Sequence, residues 1–372
     1  MIADTAPIPS PALQQFIAGL PKVELHVHHV GSASPRIVAE LAERHPGLVP
    51  ADPEKLAEFF TFRDFAHFVE LYLATVSLIK TPQDIRLLTY EVATDMAAQN
   101  IRYAELTCTP YTSVLNGIPI QGYLEAIEDA RIAAERDHRI RLQWIFDVPG
   151  EIGPNAAEET ATIAIDHGPA ALVAFGLGGP EIGTSRPKFK PAFDRARAAG
   201  LHSVPHAGET TGPQTIWDAI EFLGAERIGH GTSASQDPKL LEYLAVHQIP
   251  VEVCPTSNIA TRAVPSYQQH PLRAMVDAGV QVSINSDDPP MFGTSLNREY
   301  GIAAALLDLD AVGVAALAHN AVQASFLADP DKRALAGEID AYLIAQGTAA
   351  TVVSRDGPGP DVAGPAGGPP AR

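Results

Sequence analysis

The 372-residue chain holds two cysteines, two tryptophans and an aromatic content of only 6%, and each scarcity closes off a class of protein. Cys108 and Cys254 both fall inside apolar, strand-like runs, so they cannot build a disulfide scaffold or a thiolate zinc site, and they suit a reducing compartment. No stretch reaches about 18 uninterrupted apolar residues, and the opening MIADTAPIPSPALQQF lacks the basic and apolar regions of a secretory leader. A cytoplasmic location is therefore expected. Basic residues are outnumbered, 26 Lys and Arg against 44 Asp and Glu, which gives a formal net charge of −18. Such a field repels phosphate backbones and anionic lipid, so neither nucleic acid nor membrane is expected as a partner. A small anionic group remains admissible, because a few local cations outweigh a diffuse field at contact distance. The number of subunits is not fixed by the sequence.

Apolar residues make up 46% of the chain, enough for a large interior. They gather in eight β-branched runs: Val23–His28, Arg102–Cys108, Leu142–Val148, Leu172–Gly178, Leu201–His206, Arg227–His230, Val251–Pro255 and Val280–Asp287. Near-continuous apolar strands separated by helix-like stretches belong to a parallel sheet covered by helices, and eight such units close a (β/α)8 barrel. After the fifth run, Pro213 marks a helix start, Ile216, Trp217, Ile220 and Leu223 recur at helical spacing, and Gly224 provides a stop. The first two strands are separated by Gly31 to Asn100, too long for one crossover helix, so extra helices and a lid beside the barrel mouth are expected there. The sequence thus divides into a flexible start (1–9), one barrel domain (10–350) and a disordered Pro/Gly-rich tail (351–372).

Candidate chemistry sits at the ends of those runs. His26 and His28 end the first, His206 the fifth, His230 the sixth and Asp287 the eighth, and barrel active sites form where strand C-termini meet. Positions i and i+2 of a strand face the same way, so His26 and His28 can address one ion. Imidazoles with a carboxylate suit a borderline-soft divalent metal. Glu209, three residues past His206, can manage protons for a water activated by that metal. Taken alone, Asp287-Asp288-Pro289 would read as a helix cap before a proline turn.

In order, PKVELHVH, HAGE, IGHG, CPTSN and SDDPP resemble the motifs of the adenosine deaminase family of the amidohydrolase superfamily, over about Pro21 to Asp340. The resemblance implies that His26, His28, His206 and Asp287 bind one zinc ion per subunit, with room for water as a fifth ligand. It further implies that Glu209 protonates purine N1 while His230 orients the attacking hydroxide. Asp288 would hydrogen-bond N7, which requires a protonated carboxyl, and Gly179 would offer its N–H to N3. His28 also lies within reach of substrate. The fourth run ends in Gly178-Gly179 rather than the lysine that bridges binuclear relatives, so a mononuclear site is expected. The H-x-E with P-C-x-x-C signature of cytidine-type deaminases is missing, since Cys254-Pro255 has no second thiol. A barrel that binds nucleosides without turnover is disfavoured, because ligands, Glu209 and His230 are all present.

Members of the family typically read His-x-His-x-Asp-Gly after the first strand, the Asp accepting from the ribose 5′-hydroxyl. Here Val30 takes that position. A valine cannot accept, so a free 5′-hydroxyl would lose about 1 to 3 kcal/mol against an apolar wall, whereas a 5′ carbon substituent would gain burial there. The expected substrate is then aminodeoxyfutalosine, an adenine nucleoside of menaquinone synthesis whose 5′ carbon continues into a carboxyphenyl ketone. The runs HHVGSASP and GLGGPEIG are similar to the branch of the family that acts on it. Adenosine, methylthioadenosine and adenine are the alternatives. Phe62 and Phe65 are the rings expected to touch the substrate, with Phe65, Phe68 and Tyr72 also at core-like helical spacing. Arg63, Arg186, Lys188 and Arg262 are candidate partners for a distal carboxylate.

Overall fold

The computed structural model describes residues 6–63 and 65–347, without the side chains at positions 53, 57, 65 and 66. The expected tail, 351–372, and residues 1–5 of the expected flexible start lie outside the described residues. Pro9 is held: its carbonyl accepts from Gln14 Nε2 at 2.9 Å.

The eight strands are β1 (Lys22–His28), β2 (Ile101–Cys108), β3 (Arg141–Pro149), β4 (Leu172–Gly178), β5 (His202–Ala207), β6 (Ile228–His230), β7 (Val251–Val253) and β8 (Val282–Ile284). Neighbours in sequence are neighbours in the sheet, and all the paired strands are parallel. The circle closes through Asp287, whose N–H donates to His26 O at 3.1 Å and whose carbonyl accepts from His28 N–H at 2.9 Å. This is the (β/α)8 barrel that the count of apolar runs calls for. In β1 the two-residue period separates Val23, Leu25 and Val27, which join the hydrophobic core, from Lys22, Glu24, His26 and His28 on the other face.

The long connection after β1 forms four helices, Pro35–Arg44, Pro53–Phe59, Phe65–Val76 and Pro82–Ala98. The last is the barrel's own crossover; it packs on the helix Ile120–His138, and the other three are the expected additions. A reciprocal cap fixes its start, where Thr81 Oγ1 accepts from Asp84 N–H and Asp84 Oδ2 accepts from Thr81 N–H at 3.0 Å. After β5 the helix Gln214–Leu223 begins behind Pro213 and ends at Gly224 in the left-handed region. Three strands are shorter than the sequence indicates: β6 begins one residue late at Ile228, β8 covers only Val282–Ile284 of the expected Val280–Asp287, and β7 is cut at its end. β7 stops at Val253, because Pro255 cannot donate to a ladder and instead opens the helix Pro255–Ala260, leaving Cys254 as its cap. Among the described residues, no single helix is long and apolar enough to cross a membrane.

Candidate active site

The strand C-termini converge on a cavity enclosing about 1220 Å³ of unfilled space, part of it open to solvent. On its floor, one ligand atom from each of His26, His28, His206 and Asp287 lies within 4.8 Å of the others. His28 Nε2 is 3.1 Å and His26 Nε2 3.6 Å from Asp287 Oδ1, and His28 Nε2 is 3.3 Å from His206 Nε2. His26 Nε2 is buried and has no hydrogen-bond partner. Buried imidazoles facing one another with an unsatisfied nitrogen are costly in isolation and become favourable around a cation. The donor set therefore suits a metal ion.

A shell of partners aims these side chains. His26 Nδ1 meets Glu252 Oε2 at 2.9 Å, Glu252 Oε1 accepts from Arg227 Nε at 2.6 Å, and Arg227 Nη2 donates to Glu105. Arg227 also donates to the Ala324 carbonyl at 3.0 Å and lies 4.0 Å over the Phe326 ring. With Nδ1 engaged by a carboxylate, His26 presents Nε2 to the site. Ser257 Oγ donates to Asp287 Oδ2 at 2.6 Å. Arg186 is fully buried and donates twice to the His206 carbonyl, at 3.2 and 2.8 Å, and once each to the Thr184 carbonyl and Glu181, so its guanidinium braces β5. Arg186, expected at a distal carboxylate, is spent instead on this brace and does not line the cavity; the other supports escaped the sequence reading. The available signal was a charge inside an apolar strand, as at Glu105 and Glu252, with the partner far away in sequence.

Above the floor, the Glu209 side chain is 9% exposed and accepts from Thr261 Oγ1 at 3.1 Å, while its Oε2 stands 3.8 Å from His230 Nε2. Burial, reinforced by the nearby Asp287 and Glu181 carboxylates, pushes its carboxyl up to about 8. His230 holds a left-handed backbone, φ 60°, and its Nδ1 accepts from Asn258 Nδ2 at 3.1 Å, which leaves the proton on Nε2. Burial, then the charge of His26, lowers it to about 3, so the ring stays neutral. Asp288 Oδ1 is buried without a partner. Desolvation and the adjacent Asp287 raise this carboxyl to about 8. Gly31 lets Asp288 approach, since a Cβ there would stand 1.5 Å from Asp288 Oδ1.

Val30 is half-buried and lines the cavity, as do Gly179, Phe68, Tyr72 and Phe292. Phe62 does not line it; its ring is taken up behind the wall, 5.4 Å from Phe68 and 5.8 Å from Phe292 between centroids. The Phe65 side chain lies outside the described residues. Neither Arg63, Lys188 nor Arg262 lines this cavity; Arg262 reaches over to donate to the Arg63 carbonyl at 2.7 Å and borders an adjoining polar cleft.

The family model for adenosine deaminase matches residues 21–342. The chain belongs to the adenosine deaminase family. It is 65% identical to an aminodeoxyfutalosine deaminase of Streptomyces coelicolor, over 90% of this chain and 87% of that one. It is 34% identical to an adenosine deaminase of Shewanella loihica, over 85% and 97%. Among solved structures, an adenine deaminase from Arthrobacter aurescens superposes with a TM-score of 0.83 at 30% identity, covering 87% of this chain and 99% of that one. Family membership makes the barrel floor, rather than the adjoining polar cleft, the place to look for chemistry.

Proposed function

We propose that this protein hydrolyses the 6-amino group of an adenine nucleoside to a 6-oxopurine and ammonia, and that its substrate is aminodeoxyfutalosine. The observation that carries the substrate is the identity of 65% with the Streptomyces coelicolor aminodeoxyfutalosine deaminase against 34% with the Shewanella loihica adenosine deaminase. Val30 supplies a physical reason. It puts an apolar wall where an acceptor for a 5′-hydroxyl would stand, and the wall continues through Phe68, Tyr72 and Phe292, a surface suited to an aromatic 5′ substituent.

His26, His28, His206 and Asp287 would hold a single zinc ion, which when bound makes water acidic enough to attack as hydroxide near neutral pH. Other divalent ions of similar ligand preference suit the same donors. His230 Nε2–H, fixed by Asn258, orients the attacking water. Attack at C6 breaks the ring's aromaticity, so N1 must gain a proton, and Glu209, kept protonated by burial, supplies it. Asp288, protonated for the same reason, donates to N7, and Gly179 N–H donates to N3. The proton lost by the attacking water would restore the Glu209 carboxyl, and the amino group departs as ammonia with the proton of the added hydroxyl, whose oxygen becomes the 6-oxo group.

The test is a comparison of kcat/KM for aminodeoxyfutalosine, adenosine, methylthioadenosine and adenine on one metal-loaded preparation. Aminodeoxyfutalosine should lead by more than about tenfold, the value of one lost hydrogen bond. Adenosine equal to it or better would overturn the substrate assignment.

A further inference from the structure

Asp147 follows the apolar Trp144-Ile145-Phe146 of β3 and lines the cavity while only 4% exposed. Its Oδ1 has no hydrogen-bond partner. Its room comes from the next strand: a Cβ on Gly176 would stand 2.4 Å from Oδ1, and one on Gly178 would stand 2.3 Å from Oδ2. The glycines of β4 are thus a mould for this carboxyl group. Just past the end of β3, Glu151 also lines the cavity, exposed, with Oε2 so close to Gly179 that a Cβ there would lie 2.3 Å away. Neither side chain belongs to the metal-binding set or forms an ion pair among the described residues. Two carboxyl groups therefore flank the tip of β4, one within the wall and one above it, and they lack donors.

A purine whose N3 meets Gly179 N–H turns its sugar towards this corner, because N3 and the glycosidic N9 share the same side of the ring and the 2′-hydroxyl lies beside N3. Hydroxyl groups are the donors that such carboxylates lack, and a vicinal diol offers two. After β1, Val30 accepts nothing. We propose that Asp147 and Glu151 are the acceptors for the ribose 2′,3′-diol of the substrate, moving the anchor of the sugar from β1 to the end of β3. This deepens the adenine-nucleoside reading and rests on it. It implies a substrate class: ribonucleosides with an intact diol and a 5′ carbon substituent, in preference to deoxynucleosides.

The experiment measures kcat/KM for adenosine and for 2′,3′-dideoxyadenosine in the metal-loaded native enzyme, in Glu151→Ala, and in Glu151→Ala combined with Asp147→Ala, with bound metal assayed in each. Two charge-assisted hydrogen bonds predict a native preference for adenosine of about 100-fold, falling to about tenfold in the single variant and to near unity in the double. Because Glu151 is exposed, its single variant decides the outcome independently of how the buried position tolerates change. A preference that stays the same in Glu151→Ala, with both nucleosides losing equally, would overturn the diol contact while leaving deamination in place. Native enzyme that deaminates neither nucleoside nor aminodeoxyfutalosine would overturn both readings together.

Discussion

Two polar clusters occupy the inside of the barrel, and they are built on opposite terms. Near the strand N-termini and mid-strand, Arg227, Glu105, Glu252 and Tyr103 are buried and paired: Arg227 bridges both glutamates, and Glu105 also accepts from Tyr103 Oη at 2.8 Å and from Phe326 N–H at 2.7 Å. At the strand C-termini, His26 Nε2, His206 Nδ1, Asp147 Oδ1 and Asp288 Oδ1 are equally buried and have no partner. A satisfied network holds shape, whereas unsatisfied atoms are costly until something else satisfies them. The lower cluster is scaffold, and in the proposed reading the upper one is a receptor for ion and substrate. Glu252 belongs to both, since its second oxygen holds His26.

That division predicts different failures. The largest effect belongs to the upper cluster. Glu209→Gln removes the proton that N1 needs and should lower kcat by about 10²- to 10⁴-fold with bound metal unchanged; turnover close to native would refute the assigned role. Next, Arg227→Met leaves Glu105 and Glu252 buried without their cation and should cost about 3 to 5 kcal/mol of stability, read from denaturant unfolding of the metal-free protein. A loss comparable with that of a surface ion pair would erase the distinction between scaffold and receptor. Smaller again, Ser257→Ala frees Asp287 Oδ2 and should weaken metal retention by about 10- to 100-fold in competition with a chelator, while leaving metal-free stability nearly intact. Equal effects on both readouts would place Ser257 in the scaffold instead.

The two regions also differed in how far they could be read from sequence. The barrel was legible because each apolar run is buried on both faces and so stands out without knowledge of its neighbours. The histidines and Asp287 were legible because strand ends share one rim in this fold, which turns positions in a string into positions in space. The lower cluster was not. Glu105 of β2, Glu252 of β7 and Arg227 just ahead of β6 meet across the sheet, and a lone charge in an apolar run carries no mark of its partner. Asp147 is a similar case, its place announced only by the glycines of the following strand. Among the aromatics, helical spacing puts Phe68 and Tyr72 on a core-like face, and they line the cavity as well. A helix laid over a barrel mouth buries one face against core and ligand alike, so periodicity could not separate the two roles.

The smallest predicted effect lies at the border between the receptor floor and its aromatic wall. Val30 follows the ligand strand by two residues, and its side chain lines the cavity against the hydrophobic core. In Val30→Asp, a carboxylate would be desolvated beside a 5′ carbon substituent and would gain a donor from a free 5′-hydroxyl. The ratio of kcat/KM for adenosine to that for aminodeoxyfutalosine should therefore rise by about tenfold, through a gain on one substrate and a loss on the other. Both could fall together by the same factor if the new charge merely disturbed the metal floor, so the ratio, not either rate, is the quantity to read. An unchanged ratio would mean that the wall does not contact the 5′ position, and the choice of substrate would then have to be sought in Phe68, Tyr72 and Phe292 alone.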